Sequence, residues 1–105
     1  MPREGEFIRE GKLIYQEGCV EVRTFPDNPS AHNVYIGDGE NEDYFLFQRG
    51  ILREFAEDIP VREIPTKLQN YDWKITQAIE RRGMTPEEFV LILARARLNE
   101  ERDCH

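Results

Sequence analysis

The sequence is poor in cysteine and has no long apolar run. Its two cysteines, Cys19 and Cys104, are far apart in the chain and fit neither a disulfide framework nor a CxxC metal site. No stretch of about 18 apolar residues occurs, and residues 1–12 are polar and charged, so the sequence predicts neither a membrane span nor a secretory signal peptide. We therefore expect a cytoplasmic protein.

Common catalytic and metal-binding motifs are also missing. The sequence contains no Walker A loop and no GxGxxG, GxSxG or HExxH pattern. Cys19 and His32 could approach one another as nucleophile and base, but no third residue is indicated to orient them. The acidic stretch 38–43 lacks the spacing of an EF-hand loop, although its carboxylates could bind a hard cation. We expect a protein that is not an enzyme and uses no metal or cofactor.

The chain is the length of one domain, and its charge is unevenly distributed. Hydrophobic residues make up 39% of its 105 residues, which is enough for a single core. The formal charge of -7 belongs to residues 1–60, with six basic and thirteen acidic side chains, whereas residues 61–105 hold eight of each. The acidic half could steer a basic partner or simply aid solubility. We divide the single domain 1–105 into a β-rich acidic part, 1–50, and a helical part, 51–105.

Alternation of apolar and polar residues predicts a first β-hairpin over Lys12–Arg23. A two-residue turn at residues 17–18 is expected because Gly18 adopts a positive φ at little cost. Ile14 then falls on the polar face. The residues expected to share the apolar face are Leu13, Tyr15, Val20 and Val22. Phe7 and Ile8 could add a short strand before this hairpin.

A second hairpin is predicted after an irregular segment. Residues 25–33 contain two prolines and several Asn, Asp and Ser residues, which favour a loop. Short β-favouring runs follow at residues 34–36 and 44–47, separated by an acidic turn over residues 37–43. The N-terminal half should therefore form an antiparallel sheet of four or five short strands.

Helical spacing of apolar residues appears from residue 51 onward. A short helix is predicted over 51–59, and a longer one over 66–82 that ends at Gly83. Between them, the prolines at positions 60 and 65 predict an extended segment over 61–64, a connector or an edge strand.

The start of the last helix has the clearest local signals. Thr85 can cap the helix, Pro86 suits its first turn, and Glu88 completes a capping box. The helix should run to about Glu101, with residues 102–105 as a disordered tail. The apolar run 89–94 covers the whole circumference of this helix, so we expect it to be buried on several sides.

Trp73 lies off the apolar stripe of the first long helix, by about 140° at 100° per residue. Such a tryptophan is either covered by the sheet or serves as an anchor in an interface. We therefore predict a partner-binding surface on the C-terminal helices. The residues assigned to it are Trp73, Phe89, Leu91 and Arg95.

A strand-helix-helix order spans residues 61–101. The stretch Val61–Pro65 precedes one helix, and Gly83–Phe89 leads into the next. The apolar helical positions are Tyr71, Ile75, Ala78, Ile79, Phe89, Val90 and Leu93. This order resembles ribbon-helix-helix proteins, in which a strand pairs with that of the dimer mate and enters the DNA major groove. The resemblance implies a dimeric DNA-binding regulator or antitoxin, with Arg62 and Lys67 at the DNA.

These patterns together predict an α+β domain in which a small antiparallel sheet packs against a C-terminal helical hairpin. The function we expect is non-enzymatic protein binding or regulation through the C-terminal helices and the acidic N-terminal surface. The partner would be another protein or a second copy of the chain, with a homo-oligomer favoured. DNA binding over residues 61–101 is the alternative.

Overall fold

Four antiparallel strands and a set of helices form the fold in a computed structural model, which describes residues 11–25, 28–38 and 41–103. The sheet has the consecutive order β1-β2-β3-β4. Its strands are β1 Lys12–Glu17, β2 Val20–Phe25, β3 Asn28–Asp38 and β4 Asn41–Gln48. With the helices of the C-terminal half packed on this sheet, the predicted α+β class is confirmed. Phe7 and Ile8 lie outside the described residues.

In the described part of the chain, six helical segments follow the sheet. They are α1 Arg49–Arg53, a π-helical turn Glu54–Asp58, a 3-10 turn Val61–Glu63, α2 Ile64–Tyr71, α3 Trp73–Glu80 and α4 Pro86–Asp103. The helix predicted over 51–59 is thus present as α1 and the π-helical turn. The segment 61–64, predicted to be extended, is helical instead, because Pro65 occupies the first turn of α2, where the missing N–H costs no hydrogen bond.

The first hairpin is present, but its turn and faces differ from the prediction. Residue 17 pairs with residue 20, so the turn is Gly18-Cys19, and Gly18 has the positive φ of 58° that a type II′ turn needs at this position. A bulge between Leu13 and Tyr15 reverses the alternation of the strand. As a result, Ile14 is buried in the core, and Leu13 is exposed.

The loop predicted over residues 25–33 is wrong at Phe25, which ends β2, and from Asn28 onward, where β3 begins; residues 26–27 lie outside the described residues. This strand is central, and it pairs with β2 at His32 and with β4 at Ala31. Pairing on both sides supplies hydrogen bonds that local propensity does not reveal. Residues 31–36 are accordingly all buried. The strands predicted at 34–36 and 44–47 are confirmed within longer strands.

The helix predicted over 66–82 is interrupted at Asp72. That residue has an extended backbone, with φ -159° and ψ 105°, which ends α2 and starts α3. The Asp72 carboxylate accepts a hydrogen bond from the Lys74 backbone N–H at 3.0 Å and caps α3. Two short helices therefore replace one long helix.

The predicted connection into the last helix is confirmed. Gly83 has a φ of 72°, and the Met84 N–H donates to the Ile79 carbonyl at 2.9 Å, which closes the end of α3. The Thr85 hydroxyl accepts from the Glu88 N–H at 3.1 Å, and the Glu88 carboxylate accepts from the Thr85 N–H at 3.2 Å. The helix continues to Asp103, so residues 102 and 103, expected in a disordered tail, are helical; residues 104–105 lie outside the described residues.

The substitution Thr85→Ala should destabilise the domain by about 1 kcal/mol, since it removes the oxygen that accepts from the first turn of α4. Urea denaturation followed by circular dichroism measures this difference. Thr85→Ser, which keeps the hydroxyl, should stay close to the wild type. Equal stability of the alanine variant and the wild type would contradict the capping role.

The core lies between the inner face of the sheet and the helices. Its centre is an aromatic cluster around the fully buried Phe47, whose ring lies 5.2 Å from Tyr71 and 6.3 Å from both Phe55 and Phe89, measured between ring centroids. Phe47 therefore joins β4 to α2, to α4 and to the π-helical turn.

Candidate functional site

Helix α4 packs one side on the sheet and leaves the other side exposed. The Asn99 amide donates to the Ile14 carbonyl of β1 at 2.5 Å, which attaches the C-terminal half of α4 to the edge strand. The buried side of α4 consists of Phe89, Val90, Ile92, Leu93 and Ala96. Four of the six residues of the run 89–94 are thus buried, but the predicted burial on several sides does not extend to Leu91, which is 49% exposed.

Five exposed side chains form a line along the outer side of α4, which we call the α4 stripe. Their positions are three or four residues apart, so they follow one side of the helix over about 21 Å. The members are Glu88, Leu91, Arg95, Leu98 and Arg102. The two leucines are each about half exposed, at 49% and 55%. The stripe therefore presents two half-exposed apolar side chains between charged ones.

Arg95, in the middle of the stripe, is held by a carboxylate of the sheet. Its Nη1 donates to both Glu17 oxygens, at 2.7 and 2.6 Å. The Tyr15 hydroxyl also donates to Glu17, and this bond, followed by that from Arg95, holds the pKa of the Glu17 carboxyl below its ordinary value. The same carboxylate raises the pKa of Arg95. The charge of Arg95 is therefore balanced within its own chain.

A depression of about 290 Å³ lies beside the N-terminal end of the stripe. Met84, Leu91 and Ile92 contribute apolar surface to it, and Glu17 and Glu88 contribute carboxylates. The exposed leucine at position 91 thus belongs both to the stripe and to the wall of this depression.

The other two predicted partner-binding residues, Trp73 and Phe89, differ in exposure. Trp73 is 54% exposed at the start of α3, where the Lys74 ammonium lies 6.0 Å from its ring centroid. Phe89 is fully buried in the aromatic core, so its assignment to a binding surface is wrong. The sequence could not separate it from Leu91, because every position of the run 89–94 is apolar.

The residues predicted to contact DNA are exposed, but the strand that should present them is absent. Arg62 lies in the 3-10 turn Val61–Glu63, and Lys67 lies in α2 with its ammonium 3.8 Å from the Glu54 carboxylate. A ribbon requires residues 61–64 to pair as a strand, and that prediction is wrong here.

The predicted nucleophile pair is also not assembled. The Cys19 carbonyl accepts from the Gly37 N–H at 2.8 Å, and Gly37 is five residues along β3 from His32, about 16 Å. In the acidic stretch, Asp43 accepts from Arg81 at 2.8 Å and from Arg82 at 3.0 Å. Among the described residues, no three His, Cys, Asp or Glu side chains lie together in a way that could hold a metal ion.

The separation of charge along the sequence has a structural explanation. Carboxylates of residues 1–60 pair with basic side chains of residues 61–105, so that the acidic and the basic side chains neutralise each other across this boundary. These pairs are Glu17 with Arg95, Asp43 with Arg81 and Arg82, Glu57 with Arg97, and Glu54 with Lys67. Fewer of these carboxylates are left for a basic partner than the net charge suggests.

A buried pair that the sequence analysis missed links β3 to α4. His32 is 1% exposed, and its Nε2 lies 3.1 Å from both carboxylate oxygens of Glu100, whose charge also faces Arg49 at 3.8 Å. His32 Nδ1 has no hydrogen-bond partner among the described residues. The two residues are 68 positions apart, and no local pattern indicates their contact.

No protein-family model, curated protein or solved structure matches this chain. None of the described helices is long and apolar enough to cross a lipid bilayer.

Proposed function

We propose that the chain is a non-enzymatic, cytoplasmic protein-binding domain that acts through the α4 stripe. The observation that carries this proposal is the pair of half-exposed leucines, Leu91 and Leu98, on a helix whose opposite side is fully packed. Side chains of this size are costly to leave in water and become favourable when a partner covers them.

The geometry of Arg95 supports the same proposal. One nitrogen of its guanidinium donates to both Glu17 oxygens, so the side chain between the two leucines has a favoured position before any partner binds. Preorganised side chains lose less conformational entropy on binding, which favours affinity. Trp73 offers a second exposed anchor on α3, and its contribution can be measured separately.

The substitution Leu91→Glu, alone and with Leu98→Glu, tests the proposal. A tagged wild-type chain and each variant are expressed at equal levels in the source cells, and co-purified proteins, including untagged copies of the chain, are quantified by mass spectrometry. We expect capture to fall at least tenfold for the double variant, because two charges would be buried without partners.

Leu46→Glu is the matched control, since Leu46 is also a leucine that is 49% exposed but lies on β4. It should capture the same proteins as the wild type, and circular dichroism should show all variants folded. If the double α4 variant captures as much as Leu46→Glu, the α4 stripe is not the binding surface.

A further inference from the structure

We propose that the α4 stripe binds the α4 stripe of a second copy of this chain, with the two helices antiparallel. This inference rests on the proposed function and names its partner. It follows from the order of residues along the stripe, which is acidic at the start of α4 and basic at the end.

An antiparallel arrangement brings the two leucines of each helix together. When the two-fold axis passes between residues 94 and 95, Leu91 lies opposite Leu98 of the partner subunit. The symmetry repeats this contact, so four half-exposed leucine side chains form the centre of the interface. Spacing of seven residues keeps both pairs on the same side of the helices.

In the same register, the stripe members at the two ends of the contact have opposite charges. Measured along the helix axis, Glu88 then lies about 1.5 Å from the level of Arg102 of the partner subunit. Both side chains are on the same side of the contact. Arg102 is exposed, and the described part of the chain supplies no ion-pair partner for it. Antiparallel packing also sets the positive start of each helix dipole beside the negative end of the other.

A parallel arrangement would be unfavourable for the same residues. Each side chain of the stripe would meet its own copy, so Arg102 would face Arg102 of the partner subunit and Glu88 would face another glutamate. In the antiparallel arrangement the two Arg95 side chains come close at the axis. Glu17 of each chain balances the charge there, because its two carboxylate oxygens accept from Arg95 Nη1 of the same chain at 2.7 and 2.6 Å.

Sedimentation velocity across the micromolar range tests the proposal first. The contact is short, and interfaces of this size are weak, so we expect a concentration-dependent shift from 12.4 kDa toward about 25 kDa. Arg102→Glu should weaken the dimer about tenfold or more, because the two-fold axis introduces two contacts between like charges. Arg62→Glu, the same change at an exposed arginine on another element, should leave it intact.

The decisive variant is Glu88→Gln, which keeps the capping box because glutamine can replace glutamate in that motif. It should weaken the wild-type dimer and strengthen the Arg102→Glu dimer. Glu88 and Arg102 of one chain are about 21 Å apart, so this reversal of sign requires a contact between chains. Parallel pairing would instead make Glu88→Gln strengthen the wild-type dimer. The proposal would also be wrong if Glu88→Gln had the same effect on the wild-type dimer and on the Arg102→Glu dimer.

The outcome also separates this inference from the proposed function. A wild-type chain that stays at 12.4 kDa at high micromolar concentration overturns pairing between copies. If Leu91→Glu with Leu98→Glu still abolishes capture of another protein, the α4 stripe remains the binding surface for that partner. If the double variant alters neither mass nor capture, both proposals are wrong.

Discussion

Replacing Phe47 with alanine is expected to lower the free energy of unfolding by about 3–5 kcal/mol. The side chain is fully buried, and its ring contacts those of Phe55, Tyr71 and Phe89 from three different helical segments. Its removal leaves a cavity at the point where the sheet meets the helices. For a domain with a total stability of about 5–15 kcal/mol, such a loss is a large share.

Urea denaturation at fixed temperature measures the effect of Phe47→Ala. Trp73→Ala is the matched control, because it removes an aromatic side chain that is 54% exposed. The control should change stability by less than about 1 kcal/mol, as is usual for surface substitutions. Similar losses for the two variants would contradict the position of the core.

Glu100→Ala is expected to destabilise the domain by about 1–3 kcal/mol, the usual cost of leaving a buried polar group without its partner. His32 Nε2 lies 3.1 Å from both oxygens of Glu100, so Nε2 donates its proton to the carboxylate. Without that carboxylate, the imidazole is buried with neither nitrogen bonded to a described residue. Chemical denaturation measures the change.

A double-mutant cycle separates this contact from other effects of the substitution. Glu100→Leu together with His32→Leu should recover much of the stability lost by Glu100→Leu alone, since removing both partners of a buried pair leaves no unpaired group. Glu57→Ala removes a carboxylate from a pair with Arg97, but Glu57 is 45% exposed, and the expected loss is below about 1 kcal/mol. Additive effects of the two leucine substitutions would argue against a His32–Glu100 bond.

Features that depend on neighbouring residues could be predicted from the sequence. The Thr85–Glu88 capping box, the glycine that ends α3 and the alternation of Val20 and Val22 all act over a few positions. Features that depend on distant pairing could not. The bulge that turns Ile14 inward and the early start of β3 at Asn28 are consequences of sheet register.

The candidate surface was predictable in part for the same reason. Periodicity placed Leu91 on a helix, and Arg95 with it, but it did not show which side of an entirely apolar run would meet the sheet. The sequence pattern predicts Phe89 on the surface, although it is buried, and gives no signal for Leu98, which lies beyond the run and is 55% exposed. The contact between Arg95 and Glu17 joins residues 78 positions apart and needs the tertiary fold.

Because of the ion pairs between the two halves of the chain, the net charge overstates how many carboxylates are free to meet a basic partner. An acidic N-terminal half suggests a surface for a basic partner, yet Glu17 and Asp43 bind arginines of the chain's own helices. Exposed pairs of this kind contribute little to stability individually. They link residues in and just after α3, and residues of α4, to the sheet, and Glu17 contacts the side chain at the centre of the α4 stripe.

Pairing between α4 helices can be followed residue by residue in a series of ¹H–¹⁵N correlation spectra recorded over a wide range of protein concentration. Pairing through the α4 stripe predicts progressive shifts confined to backbone amides of residues 85–103 and to those of β1 beside Glu17, with the Trp73 indole signal unchanged. Spectra that stay constant at all concentrations, or shifts centred on Trp73, would contradict pairing through the α4 stripe.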